Sequence, residues 1–102
     1  MKDNNMNIDT LAAATGLSPQ LVLDSDGRSL ALWSEQTIRN PRHIAERVDV
    51  AVWSEHDADG RTRVFPMVDG IASGFHVEAL ARELTKALAL VDRLSAAVGG
   101  DA

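Results

Sequence analysis

Residues 75–98 read Phe75-His76-Val77-Glu78-Ala79-Leu80-Ala81-Arg82-Glu83-Leu84-Thr85-Lys86-Ala87-Leu88-Ala89-Leu90-Val91-Asp92-Arg93-Leu94-Ser95-Ala96-Ala97-Val98. Val77, Leu80, Leu84, Ala87, Val91, Leu94 and Val98 recur at steps of three and four, the spacing of one face of an α-helix. Ala81 and Leu88 widen that stripe, while Glu78, Arg82, Thr85, Lys86, Asp92 and Arg93 fall on the other side. Ser73 is the expected N-cap, and Gly99-Gly100 ends the helix. At 1.5 Å per residue such a helix runs about 35 Å. It needs an apolar surface of similar span to cover its stripe.

The residues before it read as strands that supply this surface. Val48–Glu55 and Arg61–Val68 flank Asp57-Ala58-Asp59-Gly60, which predicts a hairpin, and Arg28–Glu35 predicts a further strand. Ala31-Leu32-Trp33-Ser34-Glu35 and Ala51-Val52-Trp53-Ser54-Glu55 are near copies twenty residues apart. Alternation places Leu30, Leu32, Val50, Val52, Val64 and Val68 toward the long helix. It places Ala31, Trp33, Ala51, Trp53, Phe65 and Met67 on the second face. Ile8–Thr15 is a helix candidate to cover that second face, with a partner subunit as the alternative. Asn40-Pro41 predicts a short helix over Pro41–Arg47, because the pair suits an N-cap followed by the first helical position. The expected fold is α+β: an antiparallel sheet of three or four strands packed by a long C-terminal helix, with a short N-terminal helix. Residues 1–7 are expected as a flexible lead, 8–98 as one domain and 99–102 as a flexible tail.

The chain of 102 residues has room for one core. Its net charge of −5 divides into −3 over residues 1–27, zero over 28–66 and −2 over 67–102. That is not the basic footprint of a protein that lives on phosphate backbones. Cysteine is absent, so neither disulfides nor thiolate metal sites are available. No apolar run approaches the roughly 20 residues that span a bilayer, and no secretory h-region follows Met1. A soluble cytoplasmic protein without membrane attachment is expected.

Residues 8–22 hold a competing motif. Ala12 is small where two helices would cross, Gly16 supplies the positive φ of a turn, and Leu17 plugs the core. Ser18 could cap a second helix and Pro19 suits its first position. Thr15-Gly16-Leu17-Ser18-Pro19 resembles the start of MerR-type transcription regulators. The resemblance implies a helix-turn-helix over residues 8–24, with Ser18, Gln20 and Arg28 as DNA-binding residues. It covers about fifteen residues and then departs, since Asp24 and Asp26 stand where phosphates would lie. The other reading pairs Gln20–Leu23 with Arg28–Trp33 across Asp24-Ser25-Asp26-Gly27, turn residues that recur at Asp57-Ala58-Asp59-Gly60.

Catalytic and metal signatures are weak. Glu55, His56, Asp57 and Asp59 are clustered, but a calcium loop counted from Glu55 meets Pro66 where its bidentate glutamate belongs. His76-Val77-Glu78 lacks the cysteine pair of a zinc deaminase. Asp69–Gly74 precedes a helix N-terminus without a phosphate-binding lysine. The expectation is therefore a non-enzymatic protein-interaction or regulatory module with no cofactor and no metal. It would act through its apolar sheet face or as a homodimer. Trp33, Trp53, Phe65 and Met67 are the expected partner-binding residues, because aromatic and methionine side chains anchor interfaces. Arg39, Arg42 and Arg47 join them as a basic cluster. The alternative is a small DNA-binding regulator, which the acidic charge disfavours.

Overall fold

In a computed structural model that describes residues 4–70 and 77–99, two helices pack on one face of a four-stranded sheet. The order is α1 (Asn4–Thr15), β1 (Leu21–Ser25), β2 (Arg28–Asn40), β3 (His43–His56), β4 (Thr62–Gly70) and α2 (Val77–Gly99). The α+β architecture expected from the sequence is present. The strands form an antiparallel meander in the order β1-β2-β3-β4. Helix α1 starts at Asn4, inside the stretch read as a lead. Ser73 and the loop 71–76 lie outside the described residues.

Each turn has a local cause. Asp26 and Gly27 both take positive φ, 52° and 78°, in the two-residue loop closed by Ser25 and Arg28. That backbone matches the twist of the flanking strands. The segment after Gly16 is therefore a hairpin, and the helix-turn-helix reading is corrected: Leu21–Ser25 pairs with Arg28–Leu32. Gly16 does take the positive φ that motif requires, 73°, but it simply ends α1. The short helix expected over Pro41–Arg47 is also absent. Pro41 and Arg42 form a two-residue turn between Asn40 and His43, and Asn40 Oδ1 accepts the Arg42 N–H at 3.0 Å. The fixed φ of proline suits a turn as well as a helix start, and the strand pairing decides between them. In the third turn Asp57 Oδ1 accepts the N–H groups of Asp59 and Arg61 at 3.0 and 2.9 Å.

Register determines the two faces. Leu32 pairs with Trp53, and Ser34 pairs with Val52, so Trp33 is an extra residue in a β-bulge. Directly opposed residues share a face, so Leu32 sits with Trp53 while Trp33 turns the other way. The two near copies therefore cannot place both tryptophans together. Leu30 and Leu32 belong to the outer face and Ala31 and Trp33 to the inner one, the reverse of the alternation expected for β2. Val50, Val52 and Val64 face inward as expected.

Both helices pack on the inner face. The core joins Ile8 and Leu11 of α1 to Ala31, Trp33, Val48, Val50 and Val52 of the sheet and to Ala87 and Leu94 of α2. Arg93 donates from Nη2 to the Thr15 carbonyl at 2.8 Å, so α2 caps the C-terminal end of α1. Helix α1 thus shares the inner face with α2 and leaves the other face uncovered within the described residues. The stripe of α2 is also shifted from its expected position. Val77 and Leu88 are 76% and 53% exposed, while Leu90 and Ala97 pack against the core.

Gly70 closes β4 opposite Val48 with φ 132°. A Cβ there would stand 2.1 Å from the Arg47 carbonyl oxygen. Gly70→Ala is expected to cost about 1–3 kcal/mol and to open the Val48–Gly70 end of the ladder. Amide exchange at Val48 and Asp49 should rise above that of Val52; unchanged exchange would refute it.

Candidate interaction surface

The outer face is a ladder of cross-strand rows. The first row runs Leu23, Leu30, Glu55, Arg63 from β1 to β4. The second runs Leu21, Leu32, Trp53, Phe65, and the third Glu35, Ala51, Met67. A fourth joins Thr37, Asp49 and Asp69, and the last pairs Arg39 with Arg47. The apolar part is continuous over the first three rows. Leu21, Leu23 and Met67 are 45%, 46% and 46% exposed, while Leu32 and Ala51 are buried beneath their neighbours. Every residue of β1 is exposed, which makes that edge strand an extension of the same patch.

Leu23, Leu30, Arg28 and Glu55 line a shallow groove of about 510 Å³ with Ser25 and Asp26. Its polar rim is an ion trio: Glu55 takes Arg28 at 3.5 Å and Arg63 at 3.2 Å. The Arg63 guanidinium also lies 5.2 Å from the Phe65 ring centroid. One carboxylate serves two guanidinium groups, so the trio itself carries a net positive charge.

The opposite end breaks a local rule. Asp49 stands directly across from Asp69, and Arg39 directly across from Arg47. Like charges so placed are destabilising. Asp49 accepts the Thr37 hydroxyl at 2.7 Å, and no ion pair neutralises Asp69, Arg39 or Arg47 among the described residues. The Arg39–Arg47 segment of the β2–β3 hairpin extends beyond the reach of β1 and β4, forming a two-stranded arm. Its tip carries Arg42, and Asn40 Nδ2 donates to Glu46 at 2.9 Å to brace the turn.

The structure therefore brings Trp53, Phe65 and Met67 together, as their alternation implied. Trp33 does not join them. Its Nε1–H donates to Ser54 Oγ at 2.8 Å inside the core. Arg39, Arg42 and Arg47 share the arm, separated from the aromatic row by the acidic one. Ser18 and Gln20 lie in the linker between α1 and β1, where Gln20 donates its backbone N–H to the Leu32 carbonyl. Arg28 begins β2, so these three share no recognition helix. Sequence reading missed Leu21 and Leu23, whose segment was divided between two motifs, and Leu30 and Leu32, whose face the bulge reverses.

A buried polar chain was missed as well. Ser54 Oγ meets His56 Nε2 at 2.7 Å, and His56 Nδ1 meets Thr62 Oγ1 at 3.1 Å. Alternation along Val52-Trp53-Ser54-Glu55-His56 was the available signal, since it puts both polar groups on the valine face. A neutral imidazole that donates from Nδ1 to Thr62 and accepts at Nε2 from Ser54 satisfies every group. Burial holds His56 below the ordinary histidine range. Ser54 and His56 are fully buried, and Trp33 already occupies Ser54 Oγ. The pair works as a clamp between β2, β3 and β4. Glu55 on one face and His56 on the other cannot converge on one ion, and no cluster of metal ligands occurs among the described residues.

Among the described residues no helix is long and apolar enough to cross a membrane. Comparison with protein-family models, with curated proteins and with solved structures finds no significant match to this chain.

Proposed function

We propose that this protein is a non-enzymatic protein-interaction module whose docking surface is the outer face of the sheet. The observation that carries this reading is an apolar ladder that neither helix covers, with Leu21, Leu23 and Met67 exposed and Leu30, Trp53 and Phe65 half-buried around the buried Leu32. Soluble domains rarely expose a contiguous apolar patch of this kind without a partner for it. Its composition is that of an interface centre, with aromatic and methionine anchors inside a rim that includes Arg28, Arg63 and Glu55. The unneutralised Asp49–Asp69 and Arg39–Arg47 pairs support the same reading, because a partner carrying complementary charge removes both penalties.

A photo-crosslinking side chain at Met67 tests the proposal in cells that make the protein. A polypeptide adduct is expected at Met67 and not at Thr85, which is exposed on the far side of α2. Trp53→Glu should abolish the adduct while leaving the far-ultraviolet circular dichroism unchanged. Absence of any adduct at Met67 would overturn the reading.

A further inference from the structure

Resting on this docking-face reading, we infer that the occupant of the outer face is a second copy of the same chain. The two copies are related by a two-fold axis that runs across the strands, so that their strands are antiparallel.

The order of charge along the face decides this. At one end stand the turn acids Asp26, Asp57 and Asp59, which outnumber the one turn cation Arg61, and beside them Arg28 and Arg63 around Glu55. The apolar rows follow, then Glu35, Asp49 and Asp69, and finally the arm with Arg39, Arg42 and Arg47. Charge thus runs acidic, basic, apolar, acidic, basic. An axis across the strands near the Trp53 row reverses that order in the second copy. Arg28, one row outside Leu30, then lies over the Thr37–Asp49–Asp69 row, Arg63 lies over the Met67 row next to Asp69, and each arm lies over the other copy's acidic turns. An axis parallel to the strands would instead set Asp49 and Asp69 against themselves and arm against arm. Repulsion excludes it.

The same arrangement removes both like-charge pairs from isolation. It also stacks the Leu32–Trp53–Phe65 row on its own symmetry mate, as an isologous interface requires. Size is consistent with this. Strands about 4.8 Å apart and rows about 6.8 Å apart make a face of several hundred Å² in projection. The overhanging arms add to this, toward the roughly 800 Å² per partner of an ordinary stable interface.

The test uses the full chain and two sets of substitutions. Arg39→Glu with Arg47→Glu reverses the arm, and Asp26→Asn with Asp59→Lys reverses the turn end. Light scattering of the wild type at about 100 μM should give twice the 11.0 kDa chain mass. Each variant alone should dissociate at least about tenfold more readily. An equimolar mixture should recover dimer, because a reversed arm then meets a reversed turn end and a native arm meets a native one. Trp53→Lys should be monomeric with unchanged circular dichroism. A mixture no tighter than either variant would overturn the two-fold arrangement. A monomeric wild type whose Met67 crosslinker captures a different protein would overturn self-association and leave the docking-face reading standing. A monomeric wild type with no adduct would overturn both.

Discussion

Leu94→Ala is expected to destabilise the protein by about 3–5 kcal/mol, the upper range for a large-to-small change in a closed core. Leu94 is the largest fully buried side chain, and it lies in the cluster that joins α1, α2 and the valines of β3. Alanine would leave a cavity bounded by two helices and a sheet, and Arg93 already ties α2 to the end of α1. The layers cannot close on the gap without losing other contacts. At about 4–8 °C per kcal/mol for a domain near this size, the thermal midpoint should fall by roughly 15 °C or more. Leu88→Ala, on the exposed side of the same helix, should change the midpoint by little. Differential scanning calorimetry of the two variants decides the matter. Equal effects would mean that α2 does not pack through Leu94.

The second large effect concerns the clamp inside the sheet. Ser54→Ala removes the acceptor of the Trp33 indole N–H and the partner of His56 Nε2 in one step. Two buried polar groups are then unpaired, at an expected cost of about 2–4 kcal/mol at pH 8. The sign of the pH dependence follows from the direction of the His56 shift. Its folded-state pKa lies below the ordinary 6.5 because burial disfavours the charged ring. Above pH 6.5 both folded and unfolded forms are neutral and the group is silent. Below it the unfolded chain takes up a proton that the folded chain refuses. Stability is lost at up to about 1.4 kcal/mol per pH unit until the folded pKa is reached. His56→Gln removes that titration. Urea unfolding of wild type and His56→Gln at pH 8 and pH 5 should show the wild type losing stability relative to the variant on acidification. A difference independent of pH would show that His56 is not held neutral in the fold.

The two faces were unequally legible in the sequence. Leu80, Leu84, Val91, Leu94 and Val98 could be placed on one side of α2 because helical period is local and needs no knowledge of a partner. Asp57 and Gly60 could be placed in a turn for a similar reason. An aspartate that accepts backbone N–H groups two and four residues ahead acts within its own segment. Leu30, Leu32 and Trp33 could not be placed. A strand alternates with period two, so one inserted residue exchanges its faces, and the insertion at Trp33 exists only in the pairing of β2 with β3. Trp33 looked like an interface anchor because it shares its neighbours with Trp53. The pairing instead carried its indole to Ser54. Pro41 failed for another reason, since the same fixed φ starts a helix or turns a hairpin.

The apolar outer face was thus half visible beforehand. Trp53, Phe65 and Met67 were grouped by alternation on β3 and β4, where register runs without a break. The sequence by itself determined the kinds of element, the positions of two of the turns, and the existence of more apolar sheet surface than one helix can bury. Tertiary structure alone decided that α1 joins α2 on the inner side, and so which face stays bare. Helix propensity and strand alternation are properties of neighbouring residues. The side on which a helix docks depends on shapes that exist only once the strands have paired, with Trp33 and the valines of β3 forming the surface that receives Ile8 and Leu11.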